Sequence, residues 1–228
     1  SGHLWKLLDW FKINKGASTT RIAINSNLQC STDNIEKLLD RADSAPLDIY
    51  TSNESLMFQA EYIRDGLTWN QWQTNMHLLA SSGKLRGLHN MCTVNALCLE
   101  SLPEFLDYLL GFKDMYGKDF PSFTLNILRF PSFQSALALP DHIRTEHKNR
   151  LQKWYDKNTD NKLLHEHELN QTQRLLDYLD VVKTPHSEAF ETPKLHNDFK
   201  KFYSQYDVRR NKNFVKTFPS MKEWFNEL

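Results

Sequence analysis

At 228 residues, the chain can hold one large domain or two small ones. Hydrophobic residues at 40% and charged residues at 25% allow a packed core, and 28 basic side chains balance 28 acidic ones, so no excess of positive charge points to nucleic acid. No stretch reaches the roughly 18 apolar residues of a membrane span, and no secretory signal is visible.

The three cysteines, Cys30, Cys92 and Cys98, are odd in number and widely spaced. They fit a reducing, cytoplasmic setting better than a disulfide framework. The start, Ser1-Gly2-His3, lacks Met and reads as an expression scar or a truncated beginning.

Leu4 to Ile13 has apolar residues at helical spacing, and Asn14-Lys15-Gly16 is a helix stop. Thr20 to Ile24 is a short β-branched run that reads as a buried strand ending in Asn25-Ser26-Asn27. Asp33 with Glu36 predicts the start of a helix through Ala42. Leu47 to Thr51 is a second buried strand, followed by a polar loop. Thr68 and Gln71 have the spacing of a capping box opening a helix to about Ser82, with Gly83 ending it.

A third strand spans Gly87 to Thr93. Ser101 and Glu104 give a second capping-box pattern, with Pro103 tolerated in the first turn and Gly117 placed to cap a helix that ends at Tyr116. A fourth strand, Phe123 to Leu128, closes at Arg129-Phe130-Pro131.

Four strands alternating with helices, at about 30–40 residues per unit, predict a parallel α/β sheet. After Pro140 the pattern is helical throughout: Asp141 to Lys157, Leu163 to Val182, Lys194 to Tyr206 and Met221 to Leu228. The expected division is a βα part over residues 1–140 and a helical extension over 141–228 packed on it. Four parallel strands do not close a barrel, so the sheet edges need cover from the helical tail, from further strands, or from a second chain in a dimer.

Strand–loop–helix units carry their chemistry at the C-terminal strand ends. There the sequence places Asn25, Ser26 and Asn27, then Ser52, Asn53, Glu54 and Ser55, then Asn95, then Asn126 and Arg129. Singly, such residues are ordinary loop formers. Together they make a rim suited to a polar small molecule rather than a metal. Arg64 can fork onto a carboxylate or phosphate, or pair with Asp65 or Glu61 on the surface.

His165-Glu166-His167-Glu168 lacks the spacing of a helical zinc site and reads as a solvated turn. Arg209, Arg210, Lys212 and Lys216 read as a solvated basic face, and Phe199, Phe202, Tyr203 and Tyr206 as a packing stripe. Cys92 and Cys98 match neither zinc nor iron–sulfur spacing, so no metal is expected on this chain alone.

Several segments together resemble radical S-adenosylmethionine (SAM) proteins, in particular the phage and marine-bacterial group related to SPASM/twitch proteins. They are Thr51-Ser-Asn-Glu-Ser55, Gln59-Ala-Glu-Tyr-Ile-Arg-Asp-Gly-Leu67, Trp72 with Asn75, and Met91-Cys-Thr-Val-Asn95. Ser101 to Leu106, Asn197 to Lys200, Asp207 to Arg210 and Phe218-Pro219 extend the match over nearly the whole chain from Leu4.

The resemblance implies a truncated partial (β/α) barrel whose four strands correspond to the family's third to sixth. The family's Cys-x3-Cys-x2-Cys loop for a [4Fe-4S] cluster and its Gly-Gly-Glu motif for SAM are not in this sequence. By resemblance, Asn27, Ser52, Arg64, Asn95 and Leu128 fall where the family binds SAM, Asn95 at the ribose and Leu128 on the adenine. SAM and [4Fe-4S] are then cofactors of the longer parent protein, acting on an unknown peptide or small-molecule substrate, and this chain alone is inactive. The alternative is a non-catalytic α/β module that binds a ligand or a protein.

Overall fold

The computed structural model describes residues 2–14, 20–42 and 45–228. Four strands form one parallel sheet: β1 (Ile22–Asn25), β2 (Leu47–Thr51), β3 (Gly87–Val94) and β4 (Ser122–Ile127). They pair in the sequential order β1-β2-β3-β4. The expected α/β class is therefore correct. β1 starts two residues later than the sequence pattern placed it, and the proposed stop at Lys15-Gly16 lies outside the described residues.

The helices are α1 (Gly2–Ile13), α2 (Thr32–Leu39), α3 (Met57–Ile63), α4 (Trp69–Ser81), α5 (Leu102–Tyr116), α6 (Asp141–Asn158), α7 (Glu166–Leu179), α8 (Thr192–Arg210), α9 (Phe214–Thr217) and α10 (Lys222–Glu227). α5 matches its sequence boundaries because Pro103 fits the open first turn and Gly117, at φ 99°, takes the backbone that ends it. Neither expected capping box forms. The Ser101 hydroxyl contacts Ser55 Oγ at 2.6 Å, and Trp69 N–H at the start of α4 is accepted by Glu61 Oε1 at 2.8 Å. None of the helices over the described residues is long and apolar enough to cross a membrane.

The two sheet faces differ. Leu47, Ile49 and Thr51 on β2, Leu88, Asn90, Cys92 and Val94 on β3, and Phe123 and Leu125 on β4 are all buried. Register places them side by side across the strands, and Trp72 of α4 donates to Thr51 Oγ1 at 3.0 Å, so the helical layer packs on this face.

The alternate residues form the other face. Asn25, Tyr50, His89 and Ser122 lie in one cross-strand row, Met91 pairs with Thr124, and Thr93 pairs with Asn126. These side chains are exposed or half-buried, while Asp48 on the same face is buried beneath Arg21 and Arg86, so this face is polar and only partly covered. Parallel sheets are ordinarily covered on both sides.

The edge of β4 is satisfied by side chains of α7. Phe123 N–H donates to Glu168 Oε1 at 2.8 Å, Leu125 N–H to Gln171 Oε1 at 2.5 Å, and Arg174 donates to the Leu125 carbonyl at 2.8 Å. Glu168, Gln171 and Arg174 recur every third residue, so one helical stripe takes the place of a neighbouring strand. The helical tail is thus the cover for this edge.

Candidate functional site at the strand ends

All four strands run the same way, so their C-terminal ends share one side of the sheet. Beneath that rim lies a buried polar layer. Asn53 is fully buried, its Oδ1 accepting Glu54 N–H at 2.9 Å and its carbonyl accepting Asn90 Nδ2 at 2.8 Å. Gln59 of α3 donates to Glu100 Oε1 and to the Thr217 carbonyl, both at 3.2 Å, which ties the rim to the C-terminal helices.

Glu54 is 2% exposed. Arg64 grips its Oε2 with Nε at 3.0 Å and a terminal nitrogen at 2.6 Å. Burial pushes the Glu54 carboxyl above its ordinary value, and the Arg64 charge and hydrogen bonds oppose the rise. Arg64 therefore has a buried carboxylate partner, rather than the surface Asp65 or Glu61.

Asn95 closes its own turn, its Oδ1 accepting Leu97 N–H at 2.9 Å and Cys98 N–H at 3.2 Å. With Leu128 it lines a cavity of about 120 Å³ walled by Tyr62, Ile63, Phe202, Tyr203 and Tyr206. Tyr62 donates to Asp207 Oδ1 at 2.7 Å, and Tyr206 donates to the Tyr62 carbonyl at 2.8 Å. Burial pushes the Tyr206 hydroxyl up to about 12 and raises those of Tyr62 and Tyr203, so the walls carry no phenolate.

Of the five residues expected to bind SAM, the structure brings Asn95 and Leu128 to one cavity, with Arg64 next in sequence to its wall residue Ile63. Ser52 is half-buried at the end of β2. Asn27 is exposed, and its Oδ1 accepts Gln29 N–H at 3.1 Å within its own loop.

The tail aromatics are more than a packing stripe, since Phe202, Tyr203 and Tyr206 wall the cavity. Their spacing showed one apolar face; only the fold shows what it meets. Arg209, Arg210 and Lys216 of the basic cluster are exposed and Lys212 is half-buried. Arg210 and Lys212 pair with Asp65 at 2.8 and 3.4 Å.

His165-Glu166-His167-Glu168 is not a solvated turn throughout. Glu168 is fully buried against Lys113, and His165 lies 3.0 Å from Asp119. Among the described residues, no group of three His, Cys, Asp or Glu side chains is placed to hold a metal. Cys92 and Cys98 are fully buried, with thiols pushed up by burial, and Cys30 is a separate, half-buried residue. These thiols do not fit an iron–sulfur cluster, which needs grouped thiolates. Searches against protein-family models, curated proteins and solved structures returned no match to this chain.

Proposed function

We propose that this chain is a section of barrel wall from a radical SAM enzyme, binding the nucleoside end of SAM at the cavity between Asn95 and Leu128. The observation that carries this is the sheet itself. Its strands are parallel and sequential, helices cover one face, and the other face is polar and only partly covered. A (β/α) barrel wall has that two-sidedness, with helices outside, side chains facing an interior, and a site at the C-terminal strand ends.

The cavity supports the nucleoside assignment. At about 120 Å³ it is smaller than the roughly 150 Å³ that holds benzene, so it would receive only an edge of the adenine ring, with the ribose lying outside it. Its walls are aromatic and aliphatic, and since the Asn95 amide is engaged in its own turn and the Tyr62 and Tyr206 hydroxyls donate to Asp207 and the Tyr62 carbonyl, a ring there would be held by apolar contact. SAM, when bound beside its cluster, supplies the radical chemistry; this chain's residues orient it. The cysteines here do not fit the cluster, and no step is assigned to them.

Calorimetric titration of the chain with SAM, S-adenosylhomocysteine and adenosine tests this. All three should bind, and Leu128→Trp, which fills the cavity from a half-buried position, should abolish binding without unfolding the chain. A folded chain that binds none of them up to about 1 mM defeats the proposal. The non-catalytic binding module draws on one specific observation, that the C-terminal helices complete the cavity; binding of adenosine equal to that of SAM, with no gain from the rest of the cofactor, would favour it.

A further inference from the structure

Apart from that cavity, a depression of about 730 Å³ lies where α3, α4 and α5 meet, a size within the range of small-molecule pockets. Phe58 of α3, Trp69 of α4 and Tyr108 of α5 line it together with three carboxylates, Glu61, Glu104 and Asp107. Among the described residues, no lysine, arginine or histidine lines it. None of its residues lines the Asn95–Leu128 cavity.

Its aromatic walls are fixed from behind. The Trp69 and Tyr108 rings stand 5.2 Å apart at 56°, so they make a corner rather than a flat stack. Trp72 backs the first ring at 5.3 Å, and Phe112 backs the second at 5.3 Å. Met57 and Phe58 open α3 beside them and are 58% and 61% exposed. Two large apolar side chains left in water next to carboxylates offer contact area to a ligand.

The partners of the carboxylates decide the charge. Glu61 Oε1 accepts Trp69 N–H at 2.8 Å, and Asp107 Oδ1 accepts the Trp154 indole N–H at 2.8 Å. Both donors are neutral, so each carboxylate is held in place with its charge uncompensated. Lys212 donates to the Glu61 carbonyl and pairs with Asp65, not with the Glu61 carboxylate. Glu104, by contrast, is paired with Arg150 of α6. The Tyr108 hydroxyl, pushed up to about 12 by burial, stays neutral. The opening turns of α4 and α5 carry partial positive charge spread over backbone N–H groups, which offsets a part of the two free carboxylates.

Ring faces beside negative charge attract a cation. The kind of cation follows from the hydrogen bonds left to give. Glu61 and Asp107 each already hold one donor, and the walls are mostly apolar, so the pocket suits a cation that asks for few hydrogen bonds. A methylated ammonium spreads its charge over methyl groups and rests against ring faces. A primary ammonium is compact and strongly hydrated, and needs acceptors around it.

We propose that this depression binds a methylated ammonium group against Phe58, Trp69 and Tyr108, with Glu61 and Asp107 supplying the counter-charge.

The test titrates the whole chain with choline chloride, with dimethylbutanol, the neutral isostere that has carbon in place of nitrogen, and with ethanolamine. Amide and indole chemical shifts report binding. Choline should bind at least several-fold tighter than either comparator, with shifts at Phe58 and at the Trp69 indole. Glu61→Gln combined with Asp107→Asn keeps an acceptor for Trp69 N–H and for Trp154. That variant should stay folded, bind choline tenfold or more weakly, and bind dimethylbutanol as before. Phe58→Ala, at an exposed position, should weaken choline several-fold, and Phe58→Tyr should keep it. Leu128→Trp should leave choline binding unchanged, so this site and the SAM cavity stand or fall separately. Equal binding of choline and dimethylbutanol, tighter binding of ethanolamine, unchanged binding in the double variant, loss of binding in Leu128→Trp, or no shift at about 10 mM choline would each overturn the proposal.

Discussion

Lys113 of α5 and Glu168 of α7 form an ion pair with neither side chain exposed, Nζ lying 2.9 Å from Oε1 and 3.0 Å from Oε2. The lysine also donates to the Lys118 carbonyl at 2.6 Å, and the glutamate accepts Phe123 N–H of β4 and His165 N–H, each at 2.8 Å. One carboxylate therefore joins two helices and the sheet edge. Burial lowers the lysine's pKa while Glu168 opposes that shift.

Removing one partner strands the other charge in the interior. Lys113→Met and Glu168→Gln should each cost about 3–5 kcal/mol in urea unfolding. The double variant should cost less than the sum of the two, since no isolated charge is left. Additive losses would show that the pair is not coupled.

Arg64→Ala should leave Glu54 as a buried carboxylate without its cation. A carboxyl whose folded pKa is raised adds stability below its unfolded value and loses it as pH rises through the folded value. Glu54 is raised by burial already, and loss of Arg64 raises it further. The variant's deficit should then be about 3 kcal/mol near pH 7 and shrink as pH falls toward about 5. Denaturant midpoints for both chains across that range check it, and a deficit independent of pH would contradict it.

His147 of α6 is 1% exposed, and neither ring nitrogen has a partner among the described residues. Burial, aided by the Arg150 charge, lowers its pKa to about 4. Its folded pKa lies below the unfolded value near 6.5, so the unfolded chain binds the extra proton first. Stability should be full above about pH 6.5 and fall as pH drops toward 4, by up to about 3 kcal/mol. His147→Met should flatten that limb of the pH–stability curve.

Gly87 opens β3 where a side chain has no room. A Cβ there would lie 2.5 Å from His89 Nε2 and 2.8 Å from Asp48 Oδ1. Asp48 is 1% exposed and held by Arg21 at 3.2 Å and by Arg86, so it cannot withdraw freely. Gly87→Ala should cost about 1–3 kcal/mol, and adding His89→Ala should restore part of it. Unfolding by guanidinium chloride reads both.

The rim residues were legible in the sequence because strand ends follow from short apolar runs closed by polar residues. Their partners were not. Arg64 is next to Asp65 and three residues from Glu61 in sequence, but it reaches Glu54 because α3 turns it back over the end of β2. α3 itself read as part of a polar loop, since its seven residues make only about two turns, too few for a helical period to show. Ser101 and Thr68 had capping spacing, yet Ser101 meets Ser55, 46 positions away, because both are buried at the same rim.

The sequence by itself settled the four strands, the extent of α5 and the helical character after Pro140, since periodicity, Pro103 and Gly117 act over a few neighbouring residues. Only the tertiary structure decided which sheet face is left partly covered, that α7 stands in for a strand along β4, and that Glu168 is interior rather than solvated. The physical reason is that burial and pairing depend on residues far apart in the chain. A carboxylate is surface or core according to what packs over it, and the chain next to it in sequence does not say.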